Sequence, residues 1–149
     1  MSLTIHVSAD GVRLPMARAR VSEIARRVLA AEGIREAMLS ITFLGTRAMA
    51  ALNRKHLGHR GATDVISFAF AASGRRGPVV GDIYIAPDVA RTNARRHGIA
   101  GREEMARLIV HGVLHVLGYD HADDGSRVTS PMWDRQERLL AKVGGTAGT

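Results

Sequence analysis

Leu3, Ile5 and Val7 alternate with polar residues, the period-two pattern of a short strand. After the Asp10-Gly11 turn, Leu14, Val21, Ile24, Val28 and Leu29 return at helical spacing, so residues 14–31 read as an amphipathic helix with Arg on its wet face, closed by Gly33. Met38 to Leu44 reads as a second strand. Thr46 is placed to cap a helix over roughly 46–56 that buries Ala48, Met49 and Leu52. Asp64 to Phe70 and Val79 to Ile85 are strand-like on either side of a Ser73 to Pro78 turn, predicting a hairpin over 64–85. Pro87 opens a helix to about 97, and Gly98 ends it. Arg102 to Leu117 is apolar nearly all round, through Leu108, Ile109, Val110, Val113, Leu114, Val116 and Leu117, and is expected to be buried. Pro131 starts a last helix through about Val143, after which the Gly-rich tail is expected to fray. There is no internal repeat and no linker. The mixed order predicts an α+β fold: a single mixed sheet of about four strands, about five helices packed on it, and residues 1–149 forming one domain.

Composition narrows the class. A chain of 149 residues that is 46% hydrophobic and 23% charged is long enough for a core and ordinary for a soluble protein. No apolar run approaches the length of a membrane span, so no membrane partner is expected. The Arg-rich stretch at 12–30 is reminiscent of a transit peptide, but Glu23 and the strand before it favour a folded helix. The absence of cysteine excludes disulfides and thiolate zinc sites and fits a cytoplasmic location. Net charge is +7, and every basic residue except Lys55 and Lys142 is Arg, which favours a polyanionic partner, nucleic acid above all.

The chemistry concentrates in residues 111–121, His-Gly-Val-Leu-His-Val-Leu-Gly-Tyr-Asp-His. His111 and His115 are four apart and share one helical face. Gly118 can take a positive φ and turn the chain, so that His121 supplies a third imidazole from the loop. His111, His115, Gly118 and His121 fall in the register of H-E-x-x-H-x-x-G-x-x-H, with Gly112 where that pattern has its Glu. The spacing therefore predicts a zincin-like metal helix holding one zinc per chain with an open coordination position and no neighbouring carboxylate base.

These residues also resemble a known family. Leu52-Asn53, Thr63-Asp64-Val65-Ile66-Ser67-Phe68, Gly81-Asp82-Ile83-Tyr84-Ile85 and the His stretch ending Gly-Tyr-Asp-His are similar to the YbeY-type endoribonucleases, or rRNA maturation factors. The resemblance runs from about Leu52 to Leu140. It implies an α+β fold, zinc on His111, His115 and His121, and single-strand-specific endoribonuclease activity. It further implies a role in maturation of the small-subunit rRNA 3′ end and in ribosome quality control, in the bacterial cytoplasm. One departure stands out: His56-Leu57 occupies positions where relatives often have Tyr-Arg, and Arg54 or Arg60 is the substitute within reach.

Arg54 and Arg60, with Arg91 and Arg95 one turn apart, are the candidate RNA-binding residues. Asp120 is expected to orient a ligand imidazole or the loop, and Tyr119 to pack. Glu104 is expected to be a solvated first-turn acid, Asp64 and Asp82 to serve turns or strand edges, and Met132 to be core. No residue stands out as general base. Three functions compete: a zinc endoribonuclease, a zinc peptidase, which the spacing alone favours and Gly112 opposes, and an rRNA-binding assembly factor with a structural zinc.

Overall fold

The structure is a computed structural model that describes residues 2–70, 77–119 and 131–147. Strand β1 (Leu3–Asp10) is followed by helix α1 (Arg18–Ala31) and strand β2 (Ala37–Leu44). β1 and β2 pair in parallel, from Leu3 opposite Ala37 to Asp10 opposite Leu44, with α1 as the crossover. Helix α2 (Thr46–Leu57) leads to the hairpin of β3 (Val65–Phe70) and β4 (Val79–Ile85), antiparallel as expected. Its tip, residues 71–76, lies outside the described residues. β4 lies parallel to β2, giving one mixed sheet of order β1-β2-β4-β3. Helices α3 (Pro87–His97), α4 (Gly101–Val116) and α5 (Pro131–Ala147) complete the chain. The α+β expectation holds.

Three boundaries differ from the sequence pattern for local reasons. α1 begins at Arg18 rather than at residue 14. Pro15 disfavours helix at Leu14, which packs on the core from outside the helix. Gly45, extended at φ −67° and ψ 161°, is the cap of α2, and Thr46 is its first helical residue. The last helix continues past Val143 to Ala147, through glycines expected to fray.

The strand period sorts the sheet into two faces. Leu39, Ile41, Phe43, Ile83 and Ile85 belong to the main core with α1, α4 and α5. Ile66, Phe68 and Tyr84 turn the other way, to Met49 of α2. α4 is in contact with α1, α3, α5, β3 and β4, which is why a sequence apolar nearly all round becomes a helix there. Two glycines set how closely it lies on the sheet. A Cβ on Gly81 of β4 would fall 2.5 Å from a Val116 methyl. A Cβ on Gly112 of α4 would fall 2.7 Å from Cγ2 of Ile83. Neither contact leaves room for a side chain.

Candidate metal centre and adjoining clefts

The turn that ends α4 is built by backbone bonds. The amide of Gly118 donates to the carbonyl of His115 at 3.0 Å, and that of Tyr119 to Leu114 at 3.1 Å, with Gly118 at φ +105°. This is a Schellman arrangement, and its left-handed residue is glycine because a Cβ would be strained there. Tyr119 is tied next, its hydroxyl donating to Glu32 Oε1 at 2.6 Å; that bond holds its phenol above the usual range. Arg135 Nε donates to the other oxygen of Glu32 at 2.6 Å, so α1, α5 and the exit of α4 share one carboxylate.

His111 and His115 lie one turn apart on α4, each half-buried. His111 Nδ1 is 2.7 Å from Oε1 of Gln136 on α5. The other end of that amide donates from Nε2 to Glu137 Oε2 at 3.0 Å. A carboxylate only accepts, so Glu137 turns the amide NH₂ toward itself and the amide carbonyl toward His111. The imidazole must then donate through Nδ1, which leaves the Nε2 lone pair for a ligand. His115 Nδ1 is shut off from solvent, so a ligand reaching that ring meets it on the Nε2 side. These two imidazoles fit a metal. His121, the third expected ligand, and Asp120 lie outside the described residues, and among the described residues no three His, Asp or Glu side chains gather as a metal-binding group.

Behind Gln136 stands a charge network. Arg107 donates to Glu137 at 2.9 and 3.1 Å, to Glu104 at 3.1 Å and to Glu103 at 3.0 Å, and these bonds, that to Glu137 first, push its guanidinium above its ordinary value. Burial would raise the Glu137 carboxyl, but the bonds from Arg107 and Gln136 bring it below its usual value. Glu104 shifts the other way: burial raises it, the Arg107 bond offsets only part of that, and Asp64 adds to the rise. At 9% exposure Glu104 is not the solvated acid expected from its first-turn position, because α3 and α5 pack beside α4 there.

Two clefts adjoin this framework. The first, about 560 Å³, opens beside His111 between α3, α4, α5 and the start of β3; Asp64, Asn93, His97, Glu104, Trp133 and Gln136 supply its polar rim. Asn93 Nδ2 donates to Asp64 Oδ2 at 3.3 Å, and His97 Nδ1 donates to the Asn93 carbonyl at 2.8 Å. Asp64 keeps the edge role expected of it, its carbonyl accepting from Ala86 at 2.9 Å, while its carboxylate faces this cleft. The second cleft, about 600 Å³, is formed by Arg47, Ala50, Ala51 and Arg54 of α2 with Arg60 and Gly61. Asn53 Nδ2 donates to the Gly61 carbonyl at 2.9 Å and pins that loop to the helix.

The structure therefore brings Arg54 and Arg60 together and adds Arg47, which the sequence did not single out. Among the described residues none of the three forms an ion pair. Arg91 and Arg95 lie elsewhere, exposed on α3, Arg91 bonded to Asp88 at 2.7 Å and Arg95 to Thr92 at 3.5 Å. They line neither cleft, whereas Asn93 and His97, two positions further along the same helix, face His111. Met132 is core, 1% exposed. Gln136 was missed, yet the pattern marked it. It sits on the apolar face of α5 with Met132, Leu139, Leu140 and Val143, where an amide needs a partner.

Comparison with known proteins bears on the whole chain. A family model described as Endoribonuclease YbeY matches residues 5–144. The Endoribonuclease YbeY of Anaeromyxobacter sp. (strain Fw109-5) is 37% identical over 148 residues, spanning 98% of this chain and 74% of its own. That of Bacillus licheniformis is 32% identical over 155 residues, spanning 97% of both. The solution structure of TM1509 from Thermotoga maritima shares the fold, with a TM-score of 0.66 over 97% of this chain and 92% of its own at 20% identity. A match that takes in the strands, the hairpin and the histidine helix alike is one of descent, and the chain belongs to the endoribonuclease YbeY family.

Proposed function

We propose that this chain is a zinc-dependent, single-strand-specific endoribonuclease, one domain over residues 1–149, that acts on rRNA at the 3′ end of the small-subunit species and in ribosome quality control in the cytoplasm. The observation that carries the metal assignment is the bond from His111 Nδ1 to Gln136 Oε1, which presents Nε2 to a ligand. His111, His115 and His121 would hold one zinc. When bound it supplies positive charge for phosphoryl oxygens and a water of lowered pKa. Gln136 keeps the proton on His111 Nδ1, and Glu137 and Arg107 keep Gln136 in place. Arg54 and Arg60, joined by Arg47, hold phosphates of the strand, and Arg91 and Arg95 are offered as weaker contacts outside the clefts.

Gly112 weighs against the peptidase reading for a reason the sequence did not contain. Its Cα faces Ile83 and Ser67 at a distance that admits no side chain, so this position holds the helix to the sheet. Ser67 Oγ donates to its carbonyl at 3.3 Å and reinforces the contact. A Glu there would have to part α4 from β4 before it could serve as a base. Phosphodiester cleavage asks chiefly for charge stabilisation at phosphorus, which cations supply. The test is to incubate zinc-loaded protein with unstructured RNA, double-stranded RNA and casein, beside His111→Ala. Cutting of single strands alone, lost in the variant together with bound zinc, is the expected result. Casein degradation, or RNA cleavage undiminished in the variant, would overturn it, and binding of structured rRNA with no cutting would favour an assembly factor.

A further inference from the structure

We propose that the cleft beside His111 is a nucleobase pocket, in which a base of the RNA strand lies against Trp133 and is read along its donor edge by Asp64, with guanine the preferred base. This deepens the ribonuclease reading of the same site and rests on it. Size is the first argument: about 560 Å³ lies within the roughly 300–1,000 Å³ range of pockets that enclose small ligands. The walls suit a flat ring, since Val65, Ile99 and Leu108 are apolar and Trp133, the one tryptophan in the chain, is half-buried at the rim. Single-stranded RNA is read by splaying bases out onto aromatic side chains and bonding their edges.

Charge argues that the pocket takes a base rather than a phosphate. The chain is +7 overall, yet this cleft carries Asp64 and Glu104, and its one Arg, Arg107, already serves three carboxylates. Away from the metal that His111 would hold, a phosphate meets repulsion in this cleft and open guanidinium groups in the Arg47, Arg54 and Arg60 cleft. Hydrogen-bond polarity then selects the base. Asn93 gives an amide N–H to Asp64 Oδ2, Thr63 gives its hydroxyl to Asp64 Oδ1, and His97 spends its Nδ1 proton on a carbonyl; each Asp64 oxygen keeps a second lone pair, and with Asn93 Oδ1 and His97 Nε2 these remain to accept. Guanine places N1–H and N2–H₂ side by side, the pair of donors one carboxylate accepts. Adenine and cytosine offer an amino group beside an acceptor nitrogen. Uracil offers one N–H between two carbonyls and meets acceptor against acceptor.

Arg60 and Asp64 are four positions apart, so their Cα atoms are at most about 14 Å from each other. The segment of chain that joins the two clefts is therefore short.

The test uses guanosine, adenosine, cytidine and uridine, which carry no phosphate and so engage neither a metal nor the Arg cleft through one. Each is titrated against the Trp133 fluorescence of the purified, zinc-loaded protein. Guanosine is expected to bind about tenfold or more tighter than uridine, with adenosine and cytidine between. Asp64→Asn and Asn93→Ala, both checked for native Tm, should erase that preference while Trp133 still responds. Equal binding of all four nucleosides, no fluorescence response, or a preference unchanged in both variants would overturn the pocket. The ends produced from a random-sequence single strand give the second readout, and enrichment of G at one side of the cut is expected. Uniform ends together with a silent Trp133 sink the pocket and leave the ribonuclease reading intact. Uncut RNA sinks the ribonuclease reading, and the nucleoside titration then judges the pocket as a binding site alone.

Discussion

The two clefts of this protein are of similar volume and four residues of chain apart, yet their chemistry is opposed. Beside His111, three strong donors are already engaged: Arg107 by three glutamates, Gln136 by Glu137, Asn93 by Asp64. On α2, Arg47, Arg54 and Arg60 surround two alanines, and among the described residues no carboxylate answers them. Packing explains the difference. The first cleft is walled by the buried helix α4 and its neighbours, where an unpaired cation would be costly, so its charges come in satisfied groups. The second lies on an exposed helix, where open guanidinium groups stay solvated until a polyanion arrives. The lesson is a division of labour: the cleft beside His111 positions groups through fixed bonds, and the α2 cleft supplies attraction.

That division is broken most sharply by removing His111. His111→Ala should lower RNA cleavage at least a hundredfold and strip most of the zinc, while RNA binding keeps its salt dependence because the α2 cleft is untouched. Cleavage rates, metal content per chain and binding at several salt concentrations measure the three effects. A variant that loses binding along with cleavage would show that the clefts do not divide the work.

The next effect concerns the seat of the metal helix. In an open helix, Gly→Ala gains about 1 kcal/mol of propensity. At Gly112 the added carbon falls 2.7 Å from Cγ2 of the buried Ile83, a methyl that cannot rotate aside alone. Overpacking of this kind costs about 1–3 kcal/mol, which cancels or exceeds the propensity gain, so Gly112→Ala should lower Tm by up to several degrees, at about 2–4 °C per kcal/mol. Gly101, at the start of the same helix, meets nothing within 4 Å, and Gly101→Ala should leave Tm unchanged or higher. Thermal unfolding of the pair decides whether closeness to the sheet, rather than helix propensity, keeps glycine at 112.

Gln136 tests how the cleft beside His111 fixes its groups. Gln136→Met keeps the volume and removes the acceptor for His111 Nδ1–H. Loss of such an outer partner costs about 10–100-fold in metal affinity. Zinc titration against a chelator reads the loss, and an unchanged affinity in Gln136→Met would mean that packing, not the imidazole proton, is what Gln136 provides.

Much of this was legible in the chain and some was not, for a physical reason. The strands, the hairpin, α4 and its terminating Gly118 follow from periods of two and about 3.6 and from positive-φ glycine, all of which are local. His111 and His115 are likewise a local spacing. Glu104, Asn93 and His97 come together only because α3 and α5 dock on α4, and no local pattern records which solvated-looking face will be covered, while Gln136 was marked by the apolar face of α5 but its partners were not. Gly112 shows both sides. Its identity was plain in the sequence, and its meaning as a contact with Ile83 needed the sheet.

The smallest predicted effect separates the arginines. For a single strand, the logarithm of the binding constant falls with the logarithm of salt at a slope near −0.7 per phosphate neutralised. Arg47, Arg54 and Arg60 converge on one cleft and carry no partner there, so replacing all three with Ala should flatten the slope by about two units. Arg91 and Arg95 share an exposed face, but Arg91 is bonded to Asp88, and only the surplus charge of that pair is open to RNA. Exposed ion pairs are weak, about 0–1 kcal/mol, so Asp88 reduces the contact without abolishing it. The double variant Arg91→Ala/Arg95→Ala is therefore expected to flatten the slope by about one unit or less. Neither variant should change the cleavage rate at saturating RNA, because neither cleft arginine nor α3 arginine lines the His111 cleft. The opposite order, with the α3 face giving the larger change, would place the phosphate track across α3 and assign the α2 cleft to something other than RNA.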